Sequence, residues 1–505
     1  MKTIRNNLQY IFFALSTLLV YLFFDYHNIL FFRPQSIHFI RQTDCLSFVA
    51  TYFNGEMHFF EPRILNLNSV DGKAVGEFPI LYYLTALLYK IFGEHEFFLR
   101  LINLSIITTG LLFLYKLLIK LLDDIAYALI FTFLFFSSAI LIYYTNNYLP
   151  DPAALGFTLI AWYFYYEFLV KRNKTKAFII SLIFFTLASL IKVSYGLNPA
   201  AALLSLIIIK VIGNQKYSIK KNYPYLLSFL FSFLIIIGWY LFIIKYNETN
   251  NGNYFLTHYQ PIWSLKKVQI DEVWNYMYYY WLPNYYYEST LHVFGWMIII
   301  GLIFIKTSNK IILTIATSTF IGSSIYFVLF FLQFKEHDYY FLALIPGIIF
   351  LVINAFISIR NRFPIIFGNL IFKLALLLLL ILSLNYANKK VSGRYSIKND
   401  KFANIGTQLD NANEYIINIG ISKDSKLIVV QDYTPNGSLY FLNRTGWTIS
   451  DTAAIELIRI HTYIQKGASY LVLTDKNYLK NSTIRSLAKN VVGEYNGAVF
   501  YSLNK

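Results

Sequence analysis

Runs of about twenty apolar residues recur along most of this chain, and each is long enough for a helix to cross a hydrocarbon core of ~30 Å. Inside such a core every backbone polar group has to be paired within its own segment, so the runs commit the chain to α-helices. They fall at about 8–30, 97–120, 125–144, 152–170, 176–192, 197–213, 225–246, 291–306, 311–333, 339–358 and 364–387, about eleven spans in all. Composition agrees. Of 505 residues, 14% are charged, against about 25% in ordinary soluble domains, and the mean hydropathy is +0.49. The expected fold class is a polytopic α-helical membrane protein.

The net charge of +16 points to nucleic acid in a soluble protein, but here much of it sits in short loops between apolar runs. Lys116 and Lys120 precede one turn. Lys171, Arg172, Lys174 and Lys176 fill another, and Lys210, Lys216, Lys220 and Lys221 a third. Lys306 with Lys310, and Arg360 with Arg362, mark two more. With Lys2 and Arg5, all fall on one side if the spans alternate, and the positive-inside rule makes that side the cytoplasm. The reading excludes a nucleic-acid partner and adds attraction to anionic membrane lipids. It places the chain in the cell inner (plasma) membrane, N-terminus cytoplasmic and C-terminal segment outside. Met1 to Phe24 has no small-residue cleavage site before Asp25 and reads as an uncleaved signal anchor. One cysteine, Cys45, excludes an intramolecular disulfide.

Phe78–Phe92 is apolar but short, and counting it as a span would put every later lysine cluster outside. It reads as a re-entrant or interface-lying helix, with Tyr82, Tyr83 and Tyr89 at the head-group level. Three polar pieces then share the outer side: the loop at 33–96, the Tyr- and Trp-rich loop at 246–290, and the tail at 388–505. The tail differs in kind from residues 1–387. Lys426–Gln431 and Ala468–Thr474 read as buried strands, Thr452–Lys466 and Ser482–Asn490 as helices, and Gly437, Gly446, Gly467 and Gly497 as punctuation. The expectation is a small C-terminal α/β domain outside the cytoplasm.

The polar pieces carry the candidate chemistry. In the first, His38, Arg41 and Asp44 are spaced at three-residue intervals. On a helix that spacing shares a face, giving either an imidazole, a guanidinium and a carboxylate in one cavity, or a local Asp–Arg pair on an interfacial helix. Glu77 precedes Pro79, a residue suited to a helix start; it either complements the helix N-terminus or binds a metal or cation. Asp151 lies between two prolines, as a helix cap or a cavity carboxylate. Lys192, at the end of its span, either snorkels to the surface or binds a lipid phosphate. His337 is either part of a polar span terminus or a contact for an anion. A lipid carrier bearing a sugar phosphate would need such cations, and an acceptor hydroxyl would need a carboxylate base.

Over about residues 8–350, the order and spacing of Arg41-Gln-Thr-Asp44, Glu77-Phe-Pro79-Ile-Leu-Tyr-Tyr, Leu99-Arg100-Leu101, Pro150-Asp151 and His337-Asp338-Tyr339-Tyr340 resemble GT-C glycosyltransferases related to protein O-mannosyltransferases and bacterial aminoarabinose transferases. The resemblance implies transfer of a sugar from a polyprenyl-phosphate carrier to a lipid, glycan or protein acceptor outside the cytoplasm. It matches Asp44 to the family's essential acidic residue, the base of a single, inverting displacement. A Glu at the Glu77 position helps hold a divalent metal in the aminoarabinose transferases, which makes a metal ion the one cofactor implied. The Lys that follows it there contacts carrier phosphate; here the position is Phe78. His38, Arg41, Asp151, Lys192 and His337 are the candidates for substrate and phosphate, and Arg41, Lys192 or His337 would replace the absent Lys. Some of these relatives also carry a soluble C-terminal α/β domain.

Two other classes share part of this pattern. Polysaccharide polymerases or ligases using lipid-diphosphate donors have many spans, but usually place catalytic Arg and His in a later loop. Lipid or sugar transporters tend to put ionisable residues near the bilayer midplane, where these spans are nearly free of charge. A reporter fused after Lys505 is expected to register outside the cytoplasm; a cytoplasmic signal would overturn the eleven-span topology.

Overall fold

The computed structural model describes residues 2–170, 175–212, 219–255, 259–396, 400–450 and 454–503. Lys171, Arg172, Lys174 and Lys216 of the basic loops, and Thr452 at the start of an expected helix, lie outside these residues. Among the described residues, seven helices are long and apolar enough to cross a membrane: Phe97–Leu122, Asp151–Val170, Val193–Val211, Tyr223–Asn250, Lys310–Leu329, Asp338–Arg362 and Leu370–Tyr395. Two bent pairs raise the number to nine, Ile125–Phe136 with Ala139–Thr145 at 82° and Lys267–Tyr285 with Glu288–Ile303 at 96°. Leu8–Phe23 and Thr175–Ile191, both expected spans, are shorter apolar helices. These helices make the chain a multi-pass membrane protein.

The chain forms two compact units. The first comprises Met1–Leu30, Arg100–Tyr240 and His258–Ser392. Its helices pack through small residues, which let backbones approach where there is no hydrophobic drive between helices. A Cβ on Gly110 would lie 2.6 Å from the Gly156 Cα, and one on Gly156 would lie 2.7 Å from the Ile106 carbonyl oxygen. One end of the helix Asp151–Val170 carries Glu167, which is ion-paired with Lys120. Close to Lys120 along the chain, Arg360 donates to the Leu122 carbonyl at 2.6 Å and Lys373 pairs with Asp124. Asp151 stands at the opposite end of its helix, ~24 Å from Glu167 at 1.5 Å per residue. The turn leading into Asp151 is held by Arg100, fully buried, which donates to the Asn146 carbonyl and lies 4.0 Å over the Tyr148 ring. Asn103 adds donations to the carbonyls of Asn147 and Leu149, both at 3.0 Å.

The second unit comprises Phe31–Leu99, Leu241–Thr257 and Gly393–Lys505, so the tail shares a compact body with two other segments. Two helices come from the loop at 33–96: α1 (Phe39–Asn54) and α2 (Ile80–Phe92). At thirteen residues, α2 is ~20 Å long, too short to cross a membrane alone. The tail builds a five-stranded sheet in the order β2-β1-β3-β5-β4, from β1 (Lys426–Val430), β2 (Gly446–Ile449), β3 (Ala468–Leu473), β4 (Asn490–Tyr495) and β5 (Ala498–Ser502). β1 runs parallel to β2 and β3, while β5 is antiparallel to β3 and β4. Asn496-Gly497, both at positive φ, close the β4–β5 hairpin as such turns require. Ile428, Trp447, Ile449, Leu471, Ile484 and Tyr501 lead one core, where Trp447 stacks on Tyr463 at 4.8 Å. A short helix, α3 (Gly437–Leu442), follows β1.

The loop at 33–96 is stitched to this sheet. Leu67 N–H donates to the Gly446 carbonyl at 2.7 Å and Gly446 N–H to the Leu65 carbonyl at 3.1 Å, which extends the sheet beyond β2. The Trp447 indole donates to the Leu67 carbonyl at 3.0 Å. Elsewhere in the unit Asn247 clamps Val75, accepting from its N–H at 2.9 Å and donating to its carbonyl at 2.8 Å.

Gly156→Leu, in the first unit, should force its helix away from Ile106 and lower stability by about 1–3 kcal/mol. Thermal unfolding of the detergent-solubilised protein would show this as a reduced midpoint.

Candidate active site

The sequence placed a carboxylate on α1, and the second unit shows what surrounds it. Asp44 is 1% exposed. A buried charge is costly unless it is hydrogen-bonded or paired, and both oxygens here have donors. The Asn436 amide donates to Oδ1 at 2.8 Å and the Tyr254 hydroxyl to Oδ2 at 2.8 Å. Arg41, one turn earlier on α1, reaches Oδ2 at 3.6 Å. The Asp44 carboxyl is pushed up to about 6, chiefly by burial; Arg41, Asn436 and Tyr254 oppose the rise and Glu77 adds to it.

Arg41 sits between two carboxylates. Its Nη2 also donates to Glu77 at 3.0 and 3.1 Å, and its guanidinium lies 5.8 Å from the Phe255 ring centroid. Glu77 Oε1 further accepts a short bond from the Tyr82 hydroxyl, which also meets the Cys45 thiol at 3.2 Å. Burial pushes the Cys45 thiol up to about 12, so it stays protonated and packs as a small apolar group. Phe48 stacks on Tyr82 at 5.3 Å and on Phe255 at 5.6 Å, closing an aromatic wall. Gly76 is required by this wall: a Cβ there would lie 2.8 Å from the Phe255 ring. Phe78, where the resemblance expects Lys, packs its ring on Phe59 at 5.2 Å.

His38 stands just outside the helix in which its spacing was read. It caps α1 in the left-handed conformation, φ 57°, so helical periodicity carries Arg41 and Asp44 together but not His38. For a metal, Glu77 is the residue in question. Its carboxylate serves a guanidinium and a phenol, and among the described residues no three His, Cys, Asp or Glu side chains form a ligand group. As arranged, this donor set does not fit a divalent ion.

The remaining candidates meet in the first unit. Lys192 Nζ is 3.5 Å from Asp151 Oδ1 and lies 5.0 and 5.4 Å over the rings of Tyr339 and Tyr340. His337 packs on the same two rings at 5.3 and 5.7 Å. Asp338, fully buried, accepts from the Tyr144 hydroxyl at 2.6 Å. Asp151, Lys192 and His337, separate in sequence, thus form one cluster. The residues that sequence reasoning did not single out are Tyr254 and Asn436; Tyr82 was read only as an interfacial aromatic, and it is buried against Glu77. Tyr254 lies within the aromatic loop already noted. Asn436, in Asp432-Tyr-Thr-Pro-Asn-Gly-Ser438, carries only a turn signal.

Residues 76–242 match the model of a family described as dolichyl-phosphate-mannose-protein mannosyltransferase. The crystal structure of ArnT from Cupriavidus metallidurans bound to undecaprenyl phosphate covers 98% of this chain and 98% of its own, with a TM-score of 0.62 at 12% identity. Its apo form gives 0.57 over 98% and 97%. The chain has the GT-C glycosyltransferase fold. Together with the family match, that GT-C fold indicates a membrane glycosyltransferase. The Archaeoglobus fulgidus oligosaccharyltransferase in complex with Zn and sulfate gives a TM-score of 0.48 at 13% identity, over 90% of this chain and 66% of its own. No curated protein matches the chain in sequence.

Arg41→Leu should leave Asp44 and Glu77 buried without their shared cation and cost about 3 kcal/mol or more. Combining it with Glu77→Leu should recover part of that loss in thermal unfolding. A single mutant as stable as the parent would show that the ion pair contributes nothing.

Proposed function

We propose that the chain transfers a sugar from a polyprenyl-phosphate carrier to the hydroxyl of a lipid, glycan or protein acceptor, with Asp44 as general base. The observation that carries this reading is the Tyr254 hydroxyl on Asp44 Oδ2 at 2.8 Å. It occupies the geometry an acceptor hydroxyl would adopt while donating its proton to that oxygen. A polyprenyl-phosphate donor is supported by the fold shared with an ArnT that binds undecaprenyl phosphate.

In the reaction the acceptor oxygen attacks the anomeric carbon as its proton passes to Asp44. The bond from that carbon to the phosphate oxygen breaks, and the electron pair leaves with the carrier phosphate. One displacement inverts the anomeric configuration. The leaving phosphate needs positive charge where its own develops. Arg41, Lys192 or His337 would supply it. The reaction would take place outside the cytoplasm, with the tail at 388–505 on that side of the inner membrane.

Asp44→Asn should abolish transfer from a labelled polyprenyl-phosphate sugar without loss of fold; full activity would rule out the base. Because the base has to be ionised and its carboxyl sits at about 6, the rate should fall as pH drops through 6. At pH 5 about a tenth of the plateau should remain. Lys192→Ala should raise KM for the donor more than for the acceptor, measured by varying each in turn.

A further inference from the structure

The Asn436 amide reaches Asp44 in one orientation, and the backbone dictates which. The Asn66 N–H, 3.1 Å away, can only donate, so the Asn436 atom facing it is the carbonyl oxygen. Ser47 acts in the same sense. Its Oγ accepts the Leu65 N–H at 2.7 Å, which leaves its proton for the Asn436 oxygen at 3.2 Å. The Asn436 nitrogen therefore faces Asp44 Oδ1, and it too can only donate. An orphan proton on Oδ1 would clash with that N–H, so the contact favours the ionised carboxylate.

The loop bearing Asn436 is itself fixed. Asp432 accepts from the Thr434 N–H and hydroxyl, both at 2.7 Å, and from the Ser438 N–H at 2.9 Å. The Thr434 hydroxyl oxygen accepts the Gly437 N–H at 2.8 Å, and the Asn66 amide holds the Pro435 carbonyl at 2.8 Å. Against α1 the fit admits no side chain at Gly437, where a Cβ would lie 2.8 Å from the Phe39 ring. Phe39 also packs on Phe441 of α3 at 6.1 Å. Asn436 is fully buried, and its loop leaves the carboxyl end of a central parallel strand, where open α/β sheets place functional loops.

From this geometry we infer that Asn436 is a positioning residue for Asp44, so that the C-terminal α/β domain is an integral part of the reaction centre. It acts through Asp44, holding one oxygen ionised and aimed while the other takes the substrate proton. The inference rests on Asp44 being the base, but its central claim concerns the protonation of Asp44 and is measurable without turnover.

The test is the pH at which Asp44 becomes protonated in the full-length protein, read from the infrared carboxyl band that Asp44→Asn removes. In Asn436→Leu, which keeps volume and loses the donor, the midpoint should rise by about one to two pH units. Asn436→Asp, which sets a second carboxyl against the first, should raise it at least as far. The acidic limb of the transfer rate should follow, with kcat at neutral pH falling and donor KM unchanged. Asn443→Ala, on the far end of α3, should leave the midpoint where it is. If Asn436→Leu does not fold, Ser47→Ala provides the reading, since it loosens the amide without removing it and should raise the midpoint by a smaller amount. An unmoved midpoint in folded Asn436→Leu, or in Ser47→Ala where the former fails to fold, would overturn the inference. A raised midpoint in a protein that transfers no sugar would overturn the proposed function and leave standing the claim that Asn436 sets the protonation of Asp44.

Discussion

Keeping one carboxylate charged in a nearly dry setting is the constraint on which the second unit depends. Asp44 is 1% exposed, and water cannot solvate it. Its charge has to be met by donors the chain brings from elsewhere: Arg41 from the same helix, Tyr254 from a loop about two hundred residues on, and Asn436 from the tail. Each donor must arrive at hydrogen-bond distance with its proton pointing inward. Any of them missing would push the carboxyl further up than about 6.

Much of the unit's construction serves those arrivals. Gly76 leaves room for the Phe255 ring, which sets the neighbouring Tyr254. Gly437 leaves room for Phe39, which sets α1 against the loop bearing Asn436. Residues 65–67 join the sheet beside β2 and bring the Asn66 N–H that fixes the amide. In the first unit the same economy appears around a turn rather than a charge. Arg100 and Asn103 satisfy buried carbonyls of the segment before Asp151, because unpaired backbone groups are costly away from water. That turn then offers Asp151 to Lys192.

Local pattern carried the elements that are long or strongly apolar. The helix from Phe97 to Leu122 lies where the apolar run put it, and β1 and β3 lie where short buried runs put them, while the span expected over 364–387 begins at Leu370 and runs to Tyr395. β2, β4 and β5 were not legible. Gly446 opens β2 and reads as a break, yet a side chain there would strike the Leu427 backbone. β4 is largely exposed, so it has no apolar run to show. The two bent helix pairs were each expected as simpler elements, because hydropathy records composition and not the 82° and 96° turns. His38 stands at the N-cap of α1, one residue before the helix in which its spacing was read.

The sequence by itself determined that the chain is built of membrane-spanning helices and that Arg41 and Asp44, three residues apart, share a helix face. Those follow from local rules, since a helix satisfies its own backbone and residues three apart share a face. Only the tertiary structure decided that Asp44 is met by Tyr254 and Asn436, that Glu77 turns to Arg41 and Tyr82, and that Lys192 joins Asp151 with the rings shared by His337. These are contacts between segments far apart in the chain. Their geometry depends on how separate elements close on one another, which no spacing along the sequence records.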